Sequence, residues 1–237
     1  MPTDAIVCYG EAQRVTRGAR ASIAGMLFAI AVGLVVFVVM AFLRSEPPTV
    51  DLASGHQAGQ PVDLTVQTVG SIGYGVHPKW VSYLVKNQQG TWIHSTLWNL
   101  PADTTVHVTI LQYDSGSPLR NQQRGLVTGV DGAQLNGKAL TNVNSNVGNG
   151  VGHTFSVPAL GINVPLVGVA SNAKNFCNAA PCTMQQAHNT VTFTFKTPGV
   201  GQYHWQCFVP CGLGYLNGNG GPMQTIGYMD GLLKVVA

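Results

Sequence analysis

Residues 21–43 read ASIAGMLFAIAVGLVVFVVMAFL, 23 positions without a charged side chain. As a helix rising about 1.5 Å per residue this run covers roughly 34 Å, enough for the ~30 Å hydrocarbon core of a bilayer. It is longer than the apolar core of a signal peptide, and no A-x-A-like cleavage site follows it, so a retained anchor is expected. Arg14, Arg17 and Arg20 precede the run and Arg44 follows it. That basic excess predicts a cytoplasmic N-terminus. The expected organisation is a cytoplasmic segment (1–20), a single-pass transmembrane helix at the cell membrane (21–43), a Pro/Gly/Ser-bearing linker (44–61) and an extracytoplasmic domain (62–237). Disulfides are permitted outside the cytoplasm. Cys8 is left on the cytoplasmic side as an isolated thiol.

The outer domain reads as β-structure throughout. Short runs rich in β-branched and aromatic residues recur between turn signals: VDLTVQTV (62–69), WVSYLV (80–85), TTVHVTILQY (104–113), GHTFSV (152–157), NTVTFTFKT (189–197), GQYHWQC (201–207) and GLLKVV (231–236). In the third run Thr105, His107, Thr109 and Leu111 share one face, with Val106, Val108, Ile110 and Gln112 on the other. The Asn/Gly-rich stretch 131–150 reads as a long loop. Short strands without intervening helices predict an antiparallel sandwich or barrel. Only 9% of residues are charged, against roughly 25% in an average globular chain, and the net charge is +3 with the basic residues dispersed. No basic patch for nucleic acid results. Charge this sparse fits a domain enclosed by partner subunits or one facing an acidic medium.

Residues that could carry chemistry gather toward the C-terminus. HTFSVPALGINV places His153 on a strand. KTPGVGQYHWQCFVPCGLGY then ends a strand in Cys207-x3-Cys211, and GGPMQTIGYM supplies Met223. One upstream imidazole followed by thiolate and thioether donors from a later loop is the order that a copper site in a β-sandwich requires. These segments, with the single N-terminal anchor, resemble subunit II of haem-copper oxidases, in particular the single-anchor ba3 type. The likeness covers the anchor and about the last 90 residues. It implies an all-β cupredoxin-like Greek-key β-sandwich with one N-terminal transmembrane helix. It also implies a copper site, CuA-like or mononuclear, held by His153, Cys207, the carbonyl of Val209, Cys211 and Met223.

The sequence departs from that family at two positions. Tyr215 stands where the family has its second ligand histidine, and Gly218 where it has methionine, so Met223 falls in a lengthened loop. A mononuclear site fares no better on imidazoles, since no histidine follows Cys211. His204 offers itself as a replacement, but strand alternation puts it with Gln206 on the face opposite Tyr203, Trp205 and Cys207. Cys207 and Cys211 therefore stand either as metal ligands or as a disulfide. Cys177 and Cys182, in NFCNAAPCTM, read as a local disulfide. His56, His77, His94, His107 and His188 have no ligand-like spacing, and Trp80, Trp92, Trp98 and Trp205 read as core anchors. No G-x-S-x-G, H-E-x-x-H or phosphate-binding loop occurs, so no reaction by this chain alone is expected.

The resemblance implies an electron-transfer subunit of a respiratory membrane complex, acting with integral-membrane partner subunits. Two alternatives stay open: a structural subunit without copper, in which Cys207 and Cys211 are bonded, and a copper-delivery module.

Overall fold

The computed structural model describes residues 16–43, 46–72, 79–211 and 221–237. They fall into two compact units, divided after residue 45. In the first, helix α1 (Arg17–Val38) starts at Thr16, whose hydroxyl accepts the Ala19 N–H at 3.3 Å, and widens into a π-helical turn over Val39–Leu43. A side-chain cap of this kind satisfies one of the N–H groups that a helix start leaves without a partner. The helix is long and apolar enough to cross a membrane, and it buries none of its residues within the chain.

The second unit is a two-layered, all-β sandwich. One sheet has the order β1 (Val50–Asp51), β5 (Leu97–Pro101), β13 (Asp230–Val236), β12 (Gly201–Gln206), β9 (Val151–Val157), β10 (Ile162–Val167). The other runs β4 (Trp92–Ile93), β3 (Trp80–Lys86), β2 (Val62–Ile72), β6 (Thr105–Gln112), β11 (Asn189–Lys196), β7 (Asp131–Leu135), β8 (Lys138–Ala139). The chain passes repeatedly between the sheets, for example from β5 to β6 and from β10 to β11. That traffic corrects the antiparallel expectation: β1 with β5, β5 with β13, and β2 with β6 are parallel pairs. None of these pairs is joined by a hairpin, so nothing forces the strands to run in opposite directions.

Each sheet turns one apolar face inward. β6 alternates as the sequence predicts, with Val106, Val108 and Ile110 buried between more exposed Thr105, His107 and Thr109. Opposite them the first sheet contributes Trp98, Leu100, Phe155, Trp205 and Leu233 to one continuous core. Trp205 stacks on Trp98 with ring centroids 4.7 Å apart and meets the edge of Tyr83 at 4.8 Å. Both indole N–H groups are satisfied, Trp98 by Ser95 O and Trp205 by Thr96 O. Buried aromatics of this size dominate core energetics, and Trp98 and Trp205 serve as the anchors expected of them.

Several elements escape the pattern of alternating runs. Val50 and Leu52, within the stretch read as linker, enter the core beside β5. The stretch read as a loop contains the hairpin β7–β8, with Asn136 at its tip. A second apolar cluster lies on the outer face of the second sheet, where Val69, Leu84, Leu111 and Tyr113 are covered by the loop carrying Cys177 and Cys182. Those two cysteines are bonded to each other.

Candidate metal centre

β9 and β12 are hydrogen-bonded neighbours, with Gln206 opposite Ser156. Alternation along β9 sends Val151, His153, Phe155 and Val157 inward. Along β12 it sends Trp205 inward and, one step past the strand end, Cys207. His153 and Cys207 therefore meet on the inner face, and the short 208–210 turn brings Cys211 back to them. His153 Nδ1 lies 3.0 Å from Cys211 Sγ and 3.8 Å from Cys207 Sγ, with the two sulfurs 3.4 Å apart. All three side chains are buried, and their donor atoms lie within 4.8 Å of one another, a group that could hold a metal ion. The sulfurs are not bonded to each other.

The main chain completes the surroundings. Val209 O accepts from Cys211 Sγ at 3.0 Å and lies 3.7 Å from Cys207 Sγ. Cys207 Sγ in turn accepts the N–H groups of Thr154 at 3.3 Å and Val209 at 3.4 Å. Burial alone would raise a thiol pKa. At Cys207 the Cys211 S–H, His153 and the Thr154 N–H outweigh burial and hold it well below the ordinary thiol value. Cys211 goes the other way, pushed well up by burial and by the Cys207 charge. Burial opposes charge on His153 as well, but its hydrogen bonds to Asp114 and Cys207 win and raise it to about 9.

Of the residues singled out from sequence, the fold brings together His153, Cys207, the Val209 carbonyl and Cys211. Met223 is buried in the same core cluster, on the 3-10 turn Pro222–Gln224 ahead of β13, and its carbonyl accepts Gln206 Nε2 at 2.5 Å. Tyr215 and Gly218 lie outside the described residues. His204 is turned away from the sulfurs, half-exposed and paired with Asp230 at 2.5 Å. The other described histidines are engaged elsewhere: His56 with Thr104, His94 against Tyr228, His107 with Asp63, and His188 with Gln186 O. His77 lies outside the described residues.

One site residue was not singled out from the sequence. Asp114 Oδ2 is 3.1 Å from His153 Nε2, on the far side of the ring from the sulfurs. Burial would raise the Asp114 pKa, but the His153 hydrogen bond and charge and the Ser115 N–H lower it, so it is a carboxylate at neutral pH. Asp114 stands 39 positions before its partner. No local spacing signals the contact.

The donor set fits copper. Two sulfurs, one imidazole nitrogen and a nearby carbonyl form a soft, sulfur-rich environment of the kind that selects Cu(I) over harder cations. Among the described residues it provides one imidazole, not the two of a complete CuA set.

No family model matches the chain, and no curated protein matches it. Among solved structures, a chain of a heme-copper terminal oxidase dimer is similar over 92% of this chain and 98% of its own, at 13% identity and a TM-score of 0.32. Reduced rusticyanin is similar over 84% of this chain and 94% of its own, at 16% identity and a TM-score of 0.33. Rusticyanin from Thiobacillus ferrooxidans gives 84% and 92%, 17% identity and a TM-score of 0.31. With likeness this distant, the site is assigned from this chain's own geometry.

Proposed function

We propose that this chain is a membrane-anchored cupredoxin, a subunit-II-like component of a respiratory membrane complex that passes electrons through a copper centre at His153, Cys207 and Cys211. The observation that carries the reading is the convergence of these three buried donors at 3.0–3.8 Å, with the sulfurs unbonded. Copper held there would supply a one-electron couple between Cu(I) and Cu(II).

The protein's part is to keep the donors in place. His153 and Cys207 belong to adjacent strands of one sheet. Cys211 is tied back by Val209 O. The N–H groups of Thr154 and Val209 stabilise negative charge on Cys207 without moving. Tyr83, Phe155 and Trp205 pack the inner side and exclude water. A rigid, dry donor set changes little between charge states, which suits electron transfer. Chemistry on the terminal acceptor then belongs to an integral-membrane partner. The helix at 17–43 would tether the domain, with the N-terminus in the cytoplasm.

Copper delivery is the second reading, favoured by the single imidazole among the described residues, since two thiolates and one imidazole suit Cu(I) better than Cu(II). A redox titration of the copper-loaded full chain in detergent separates the two. A reversible one-electron wave, with a paramagnetic signal in the oxidised protein, supports electron transfer. Copper that remains diamagnetic until it is lost on oxidation supports delivery and refutes the leading reading.

A further inference from the structure

The two oxygens of Asp114 have separate tasks. Oδ1 accepts the Ser115 N–H at 2.8 Å, a local turn contact, while Oδ2 is aimed at His153 Nε2 at 3.1 Å. The turn itself is fixed from other directions. Asp114 O accepts Gln112 Nε2 at 3.2 Å and the Val169 N–H at 2.9 Å. The turn also lies directly against β9 one residue before His153. A Cβ at Gly152 would stand 2.1 Å from Gln112 Nε2 and 2.7 Å from Ser115 O, so the contact requires glycine there.

We propose that Asp114 is a positioning residue for the metal centre: when a metal displaces one imidazole proton, Asp114 keeps the remaining His153 proton on Nε2 and so leaves Nδ1, which faces the two sulfurs, as the ligating atom. This rests on the copper reading above. An imidazole ligates through a nitrogen that carries no proton, and a carboxylate can only accept, so it selects the Nε2–H form. A carboxylate behind a ligand histidine also fixes the ring and raises the basicity of the ligating nitrogen.

Asparagine cannot substitute. With its oxygen kept on the Ser115 N–H, its NH2 group would face Nε2 and favour the Nδ1–H tautomer, which removes the lone pair from the sulfur side. Flipping the amide restores Nε2–H but sets NH2 against the Ser115 N–H. One contact is lost either way.

The test compares the full chain in detergent with Asp114→Asn, Asp114→Ala and Asp63→Asn. The last removes a surface carboxylate that pairs with His107 and serves as the charge control. In metal-free, 15N-histidine-labelled protein, wild type is expected to show a slowly exchanging, low-field proton on His153 Nε2. Asp114→Ala loses it. Cu(I) affinity, measured by competition with a chromophoric chelator, is expected to fall roughly 10–100-fold in Asp114→Asn. It stays within about twofold of wild type in Asp63→Asn, with the circular dichroism of all variants retained. An unchanged Nε2 proton in Asp114→Ala overturns the proposal, as does wild-type Cu(I) affinity in Asp114→Asn. Wild type that binds no Cu(I) refutes the copper reading instead. The Nε2 proton then decides the hold of Asp114 on His153 by itself.

Discussion

Gly231→Ala tests how the core and the metal centre are joined. Gly231 sits on β13 directly opposite Trp205 on β12. A Cβ at this position would lie 2.1 Å from the Thr96 carbonyl oxygen and 2.6 Å from Trp205 Nε1. The first is backbone and the second belongs to a wholly buried ring, so neither yields without moving its neighbours. Thr96 O already accepts two hydrogen bonds, from Trp205 Nε1 at 3.2 Å and from Leu232 N at 3.0 Å. Forcing a methyl group into a packed site costs about 1–3 kcal/mol. A buried indole N–H that loses its acceptor costs about 1–3 kcal/mol more. Taken together these give a loss near 4 kcal/mol, or roughly 8–16 °C in Tm for a domain of this size. Trp205 is two residues before Cys207, so copper affinity should fall as well. The assay is thermal unfolding of the full chain followed by circular dichroism, with Gly199→Ala as control because a Cβ there meets nothing within 4 Å. A Gly231→Ala variant melting within about 2 °C of wild type would refute the packing argument, since that is below 1 kcal/mol.

Three further outcomes follow from the same geometry. Replacing Cys177 and Cys182 together by serine should cost about 2 kcal/mol, the loop-closure value for so short a separation, and leave copper binding unchanged; chemical denaturation and metal titration check both. His204→Ala should leave Cu(I) affinity within about twofold of wild type, because the ring faces away from the sulfurs toward Asp230; a tenfold loss, about 1.4 kcal/mol, would make it a ligand. Tyr215→His supplies the imidazole that the family resemblance places there, and is expected to yield a delocalised mixed-valence paramagnetic signal after copper loading. An unchanged spectrum would mean that residue 215 no longer reaches the centre.

The sandwich was legible wherever β-branched residues alternate with polar ones. β6 and β11 show this most plainly, because each has one face in the core and one toward solvent. β5 and β10 were not singled out. LWNLP and INVPLV are short apolar runs, the first ending at a proline and the second interrupted by one, and four of the five residues of β5 and five of the six of β10 are buried, which erases the period-two signal. β7 was hidden differently: DGAQL has little β propensity and takes its strand conformation from pairing with β11. At the site, His153, Cys207 and Cys211 could be read from residue type, strand parity and order. Asp114 could not, because its contact depends on a turn packed against β9. The state of the cysteines was open as well. The 3.4 Å separation of Cys207 and Cys211, beside a bonded Cys177–Cys182 pair in the same domain, sets the two pairs apart.

The most direct measurement is copper K-edge X-ray absorption fine structure on the reduced, copper-loaded full chain. The account predicts two sulfur scatterers and one imidazole nitrogen around each bound copper, with the imidazole contribution lost in His153→Ala and one sulfur lost in Cys211→Ser. Copper surrounded only by nitrogen and oxygen, or a chain that takes up no copper while Cys207 and Cys211 are reduced, would contradict it.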